Sequence, residues 1–342
     1  MPLLMHATFH AVSTSVSRLF RGVFVALLIA GAATFLSDHY GAPAMLMALL
    51  LGIALNFLSE EPQCAPGIAF ASRTVLRFGV ALLGLRISWQ MLAGLGASSV
   101  LWIMAAVATT IAVGLLGARL LGRDWRFGML TGGSVAICGA SAAMAISAVL
   151  PRNERSDTDL SFTVMAVTLL STIAMVIYPI FTDAADMPPA DAGLFLGATI
   201  HDVAQVVGAG YTVSDETGDV ATAVKLLRVA CLAPVILLLG VAIGRSGQGS
   251  GQAGAPGARR PPLLPFFVLA FLLLTTLNSL VAAPPALVQF AGELSKWMLL
   301  TAVAAVGMKT SLRQLAQVGG PAVILVVAET AYLGIGFFLI TA

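Results

Sequence analysis

"TGGSVAICGASAAMAIS", residues 131–147, is the stretch on which the reading of the whole chain turns. It sits inside a long apolar segment, 127–150, yet its first dozen residues hold hardly any large side chain. Small residues let helices approach closely, and tight packing is one reading. The other is a helix broken around Gly132-Gly133 or Gly139. Backbone N–H groups at a half-helix N-terminus would then face an anion, with Ser134 or Ser141 adding a hydroxyl. On that reading Ser134, Cys138, Gly139 and Ser141 are the substrate-binding candidates, Cys138 as a small packed residue and not as a nucleophile.

Composition places this stretch in a bilayer. Of 342 residues, 58% are hydrophobic and 10% charged, with a mean hydropathy of +0.96. Soluble domains carry about 25% charged residues, so this chain cannot coat a globule of its own size. Continuous apolar runs of about 20 residues point to an all-α polytopic membrane protein. A β-barrel would alternate with period two, and these runs do not. A net charge of +2 is too small to imply a nucleic-acid partner. Cys64, Cys138 and Cys231 show no metal spacing and read as reduced, packed residues.

Eleven spans are expected, near 20–37, 41–58, 70–87, 96–120, 127–150, 159–182, 190–210, 220–243, 263–281, 286–307 and 319–341. They form one membrane domain over 1–342, interrupted by a Gly/Ser/Pro-rich segment at 246–262 that reads as a flexible cytoplasmic linker. The leading segment lacks the early basic residues of a secretory signal and reads as a short cytoplasmic lead-in. With the N-terminus inside, the inner segments gather Arg18, Arg21, Arg73, Arg119, Arg123, Arg126, Arg245, Arg259, Arg260, Lys309 and Arg313. Outer ends keep Arg86, Arg152, Arg155, Lys225 and Lys296. The bias favours a cytoplasmic N-terminus and a periplasmic C-terminus, against the acidic inner loop at Asp183 to Asp191.

"GVALLGLRISWQMLAGLG" (79–96) resembles "AVAAVGMKTSLRQLAQVGG" (302–320): an apolar run, then Gly, an apolar residue, a base and a Ser. These lie at the ends of spans running in opposite directions, as an inverted repeat would place them. Chance likeness between two short apolar ends is the other reading, and a five-plus-five repeat would pair different spans.

"GATIHDVAQVVGAGY" (197–211) puts His201, Asp202 and Gln205 at membrane depth. On a continuous helix the three would share one arc, with separations of about 40–60°, above a Gly193–Gly197 packing pair. An aspartate at mid-span costs about 2.5–3.5 kcal/mol on insertion scales, so function is the default there. A structural hydrogen-bonded cluster is the alternative. Glu329, mid-span in "PAVILVVAETAYLGIGFF", reads either as a proton-carrying carboxylate or as the partner of an arginine such as Arg77. Asn56 and Asn278 are explained by interhelical hydrogen bonds. Lys225 and Arg228 are expected to reach toward the interface.

No P-loop, HExxH, GxSxG or dinucleotide fingerprint occurs, so an enzyme is not expected. The motifs "GVALLGLRIS", "AICGASAAMA", "ATIHDVAQVVGAGY", "VKLLRVACLAP" and "LNSLVAAPPALV", in this order, resemble the YeiH-like sulfate exporter family of bacterial inner-membrane proteins. That family's substrate label is unproven. Where the family pattern has glutamate after the histidine, this chain has Asp202. The resemblance implies a multi-pass transporter with crossed, broken helices and an inverted repeat, akin to bile-acid symporters and cation/proton antiporters.

Together these readings describe a secondary transporter exporting a small anion, sulfate or sulfonate-like, across the bacterial inner membrane. Its coupling ion is a proton or sodium, handled by His201, Asp202, Gln205 and Glu329; no cofactor or metal is expected. The competing reading is a non-transporting membrane sensor or assembly partner. A homo-oligomer is the other partner considered, and the sequence does not fix its size.

Overall fold

A computed structural model describes residues 2–94, 96–245, 265–281, 284–310 and 320–341. Among them every regular element is a helix. The linker expected at 246–262, and residues 311–319 of the 302–320 half of the internal similarity, lie outside the described residues.

The helices are α1 Pro2–Tyr40, α2 Ala44–Ala54, α3 Ala65–Phe70, α4 Leu76–Leu83, α5 Trp89–Gly94 and α6 Gly96–Leu120. They continue with α7 Trp125–Ala136, α8 Ala140–Ser147, α9 Ser156–Ala184, α10 Pro189–Thr199 and α11 Val203–Val213. The last are α12 Asp215–Ala230, α13 Leu232–Arg245, α14 Phe266–Val281, α15 Pro285–Lys309 and α16 Pro321–Thr341. Six helical segments among the described residues are long and apolar enough to cross a bilayer: Leu19–Tyr40, Ala65–Leu83, Gly96–Leu120, Ser156–Ala184, Asp215–Ile243 and Ala322–Thr341. The expected span 286–307 is the continuous 25-residue α15, and the other expected spans are shorter apolar helices or pairs of half-helices.

The sequence of α6 shows why such a segment forms. Its 25 residues are mostly Ala, Leu, Val and Gly with one base at the end, giving a rise of about 37 Å against a hydrocarbon core of about 30 Å. Leu101, Leu116 and Leu120 are exposed by 60–79%, the outward apolar surface that lipid would cover. The helix stops where Gly122 takes φ +65° and Arg123 N donates to Ala118 O at 2.8 Å, a left-handed C-terminal cap.

The chain divides into two compact units. The first comprises Met1–Ile87 and Leu273–Arg313. Its packing depends on backbone approach without side chains: a Cβ on Gly67 would stand 2.2 Å from Leu19 O, and one on Gly52 2.3 Å from Ala304 O. Between α3 and α4 a π-helical turn, Ala71–Val75, keeps the span continuous. Asn56 Nδ2 donates to Met308 O at 2.7 Å, the interhelical bond expected of it. Ser295 Oγ likewise donates to Gly79 O at 2.7 Å.

The second unit comprises Ser88–Leu272 and Gln314–Ala342. Here α6 and α7 meet along Gly114, Gly128 and Gly132, where a Cβ on Gly128 would lie 2.4 Å from Gly114 O. The pair Gly193 and Gly197 does the same for α10 against α12: Cβ atoms there would strike Val220 and Ala221 O at 2.6 and 2.4 Å. The small-residue reading of 131–147 therefore holds for Gly132, inside unbroken helix. The interruption comes later, at Ile137–Gly139.

Candidate functional site

Two helices of the second unit are each cut in the middle. The first cut separates α7 from α8: Ile137 leaves helical geometry at φ −112°, ψ −84°, and Gly139 turns to φ 62°, ψ −127°. That backbone region is open to glycine almost alone, which explains the residue at this point. The second cut separates α10 from α11, with Ile200 extended at φ −68°, ψ 138° and Asp202 at φ −91°, ψ 143°. His201 and Asp202 therefore lie in an extended break, and Gln205 in the first turn beyond it. The single helical arc expected for these three is incorrect. The polar backbone and the Asp202 cap terminate helix where the apolar pattern would have continued it.

A broken helix leaves carbonyls without helical donors at one end and N–H groups without acceptors at the other. At the C-terminal ends of α7 and α10 those carbonyls are met by two buried cations from α12. Lys225 and Arg228 are 0% and 1% exposed, so the expectation that they reach toward the interface is overturned. Lys225 Nζ donates to Ile137 O at 2.7 Å and to Ile200 O at 2.9 Å. One ammonium thus bridges both breaks and brings them together.

Arg228 completes the arrangement. Nε donates to Ala136 O at 2.9 Å, Nη1 to Gly197 O and Ile200 O at 3.2 and 3.1 Å, and Nη2 to Val135 O and Ala136 O, each at 2.8 Å. A guanidinium has five N–H donors, and all five are used. The carbonyl ends of two helices carry partial negative charge, so each cation is compensated by dipoles as well as by hydrogen bonds. This is how two positive groups survive at membrane depth.

On the N-terminal side the two half-helices differ. α11 is capped by its own acid: Asp202 Oδ1 accepts from Ala204 N at 2.8 Å, while Asp202 N donates to Ser171 Oγ of α9 at 3.0 Å. α8 has Gly139 at its cap position and no side-chain cap. The break residues of α10–α11 stand beside it: a Cβ on Gly139 would meet His201 Cβ at 3.4 Å.

The remaining polar groups are pinned from α9 and α16. His201, 1% exposed, holds Thr330 Oγ1 at 3.0 Å from Nε2. Gln205 Nε2 donates to Thr172 Oγ1 at 2.6 Å. His201 Nδ1 and Gln205 Oε1 are buried without a hydrogen-bond partner. Glu329, fully buried, meets Thr131 Oγ1 at 2.8 Å. A threonine, not an arginine, is its partner.

The candidates in 134–141 separate by geometry. Ser134 Oγ turns back to Leu130 O of its own helix, so its proton is already used. Cys138 and Gly139 are buried in the break, whereas Ser141 is exposed on α8. The three cysteines are free thiols.

Sequence reasoning missed Lys225, Arg228, Ser171, Thr172 and Thr330. The first two carried a usable signal: two bases one turn apart within the mostly apolar run 220–232 call for buried partners by the logic applied to Asp202. The three hydroxyls carried none, since Ser and Thr are common in membrane helices.

A family described as conserved hypothetical protein 698 matches residues 21–326. The UPF0324 membrane protein TauZ of Paracoccus denitrificans is 57% identical over 317 residues, 92% of this chain and 93% of its own length. A UPF0324 membrane protein of Chlorobaculum tepidum is 49% identical, over 96% and 91% of the two chains, and one of Pseudomonas aeruginosa 33%, over 94% and 93%. Among solved structures, the sodium proton antiporter MjNhaP1 of Methanocaldococcus jannaschii aligns over 99% of both chains at 13% identity with a TM-score of 0.27. A likeness that slight carries no argument about fold or activity.

Proposed function

The chain belongs to the conserved hypothetical protein 698 family of multi-pass helical membrane proteins, and from that premise we propose that it is a secondary transporter of a small anion. The YeiH-like resemblance seen in its motifs is borne out at the level of the family.

One observation carries the reading. Two broken helices meet with their carbonyl ends saturated by Lys225 and Arg228, so the fixed positive charge is held while the N-terminal end of α8 stays free of a side-chain cap. Broken helices at the midplane serve transporters as binding sites, with helix N-termini toward anionic groups. Asp202 occupies the end of α11 with its own carboxylate, which disfavours a second anion there. The end of α8, at Gly139, Ala140 and Ser141, is then the anion position, with Cys138 beside it and Ser134 as a support of α7. Sulfate or a sulfonate, with several acceptor oxygens, fits such a donor set. His201, Asp202, Gln205 and Glu329 handle the coupling ion, a proton or sodium. We place the protein in the bacterial inner membrane as one transport domain, with an N-terminus in the cytoplasm, exporting its substrate.

The experiment is flux. Full-length protein in liposomes should move labelled sulfate or a labelled sulfonate down an imposed proton or sodium gradient, and empty liposomes should not. Binding of these anions with no flux under either gradient would make the protein a sensor instead.

A further inference from the structure

Consecutive residues of α16 hold two different broken helices. Glu329 reaches α7 through Thr131, and Thr330 reaches the α10–α11 break through His201. Around Glu329 the walls are backbone and small side chains. A Cβ on Gly114 would stand 2.6 Å from both Glu329 Oε1 and Gly128 O. Its second oxygen, Oε2, is buried and has no hydrogen-bond partner.

On the elements packed against α16, Arg119 stands in the last turn of α6, Arg126 of α7 pairs with Asp124, Asp191 lies in the first turn of α10, and Asp157 and Asp183 lie near the ends of α9. Tyr178 of α9 has its hydroxyl 3.3 Å from where a Cβ on Gly334 would be, beyond the next turn. Asp159 of α9 is paired with Arg123, and Arg123 lies over the Phe127 ring at 4.3 Å. His201 faces Thr330. At Glu329 itself the recorded contacts are neutral: Thr131 of α7 and the glycine surface of α6.

Hydrogen counting makes this contact informative. A threonine hydroxyl has one proton to donate. Thr131 Oγ1 lies 3.1 Å from Phe127 O and 2.8 Å from Glu329 Oε1. If the hydroxyl donates to Phe127 O, the contact with Glu329 is a hydrogen bond only when Glu329 carries a proton and donates it. If the hydroxyl turns to Glu329, Phe127 O keeps its helical N–H and the carboxylate stands as acceptor. The Thr131–Glu329 contact is therefore a hydrogen bond in two arrangements that differ by one proton, with Oε2 unpartnered in both. Hard cations take about six oxygen ligands, and the side chains that meet here offer one carboxylate and one hydroxyl. No group of three or more His, Cys, Asp or Glu that could hold a metal occurs among the described residues.

We propose that Glu329 is the proton-carrying carboxylate of this protein, loading and releasing a proton against Thr131, with α16 linking that event to the α10–α11 break through Thr330 and His201. The inference rests on the transporter reading for its purpose and names the coupling ion as a proton. Loading breaks one O–H bond of a hydronium ion, forms one O–H bond on Glu329 and rotates the Thr131 hydroxyl; release returns the proton to water.

Infrared difference spectra of full-length protein in lipid, taken across a pH series, test the carboxyl directly. A protonated carboxyl C=O band should titrate in the wild type and in Asp202→Asn, and be lost in Glu329→Gln. In Thr131→Val, which keeps the acid and removes its partner, the band should shift to higher frequency. No titrating band, a band that survives Glu329→Gln, or an unshifted band in Thr131→Val overturns the proposal. In liposomes, Glu329→Gln should lose the acceleration of sulfate flux by a pH gradient; acceleration equal to wild type also overturns it. If the wild type moves none of the anions offered, the transporter reading fails, while the infrared series still decides whether Glu329 binds the proton.

Discussion

Lys225 and Arg228, one turn apart on α12, share a single acceptor, the carbonyl oxygen of Ile200, at 2.9 and 3.1 Å. Two positive side chains on one oxygen would repel in isolation. They are stable together because each also holds the carbonyl end of α7, so the negative ends of two helix dipoles surround the pair.

The first prediction follows from that sharing. Arg228→Lys offers three donors in place of five and lacks the planar fork, so it should not be conservative. Buried carbonyls left without donors cost about 1–3 kcal/mol each. Arg228→Lys should lower the melting temperature of detergent-solubilised protein clearly, and Arg228→Met should abolish recovery of monodisperse protein. Wild-type melting in Arg228→Lys would show that the cap is dispensable.

Gly139→Ala tests the first break. At φ 62°, ψ −127° a side chain is strained by about 1–3 kcal/mol, although the new Cβ would meet His201 Cβ at an ordinary 3.4 Å. Anion flux should fall by an order of magnitude or more. Gly133→Ala makes the control, since its Cβ meets the flexible tip of Ile146 at 2.3 Å, and it should retain most of the flux. Equal behaviour of the two variants would mean that the turn at Gly139 is not special.

Asp202 separates capping from charge. Asp202→Asn keeps an oxygen for Ala204 N and should insert and fold at near wild-type yield, with altered dependence of transport on pH or sodium. Asp202→Ala removes the cap and should cost about 1 kcal/mol more in stability. Unchanged ion dependence in Asp202→Asn would leave this residue a purely structural cap.

Topology can be checked without a substrate. Cysteines introduced singly within 246–262 of a protein lacking Cys64, Cys138 and Cys231 should react with an impermeant thiol reagent in inverted vesicles and stay unlabelled in intact cells. Labelling from outside intact cells would reverse the orientation.

Much of the site was legible in the sequence because charge and glycine are rare in an apolar run. The break at Gly139, the depth of Asp202 and the burial of Glu329 all stand out against their neighbours. The second break did not. "GATIHDVAQVV" keeps the hydrophobicity of a continuous span, and a polar triplet inside it fits a helix face as well as an interruption. Lys225 and Arg228 were misassigned for a related reason. A base near a helix start can snorkel to water, and the carbonyls that hold these two belong to helices distant in the chain.

The sequence by itself determined the solvent and the class: long apolar runs with few charges must lie in a bilayer, and in a bilayer such runs must be helical to satisfy their own backbone. It also determined where polar groups would have to be buried. Only the tertiary structure decided what those groups do for one another. Which carbonyls Lys225 and Arg228 hold and which hydroxyl meets Glu329 depend on contacts between residues from 25 to 198 apart in the chain. Hydropathy and periodicity report each helix separately, whereas a buried charge is stabilised by whatever the fold brings within hydrogen-bond distance.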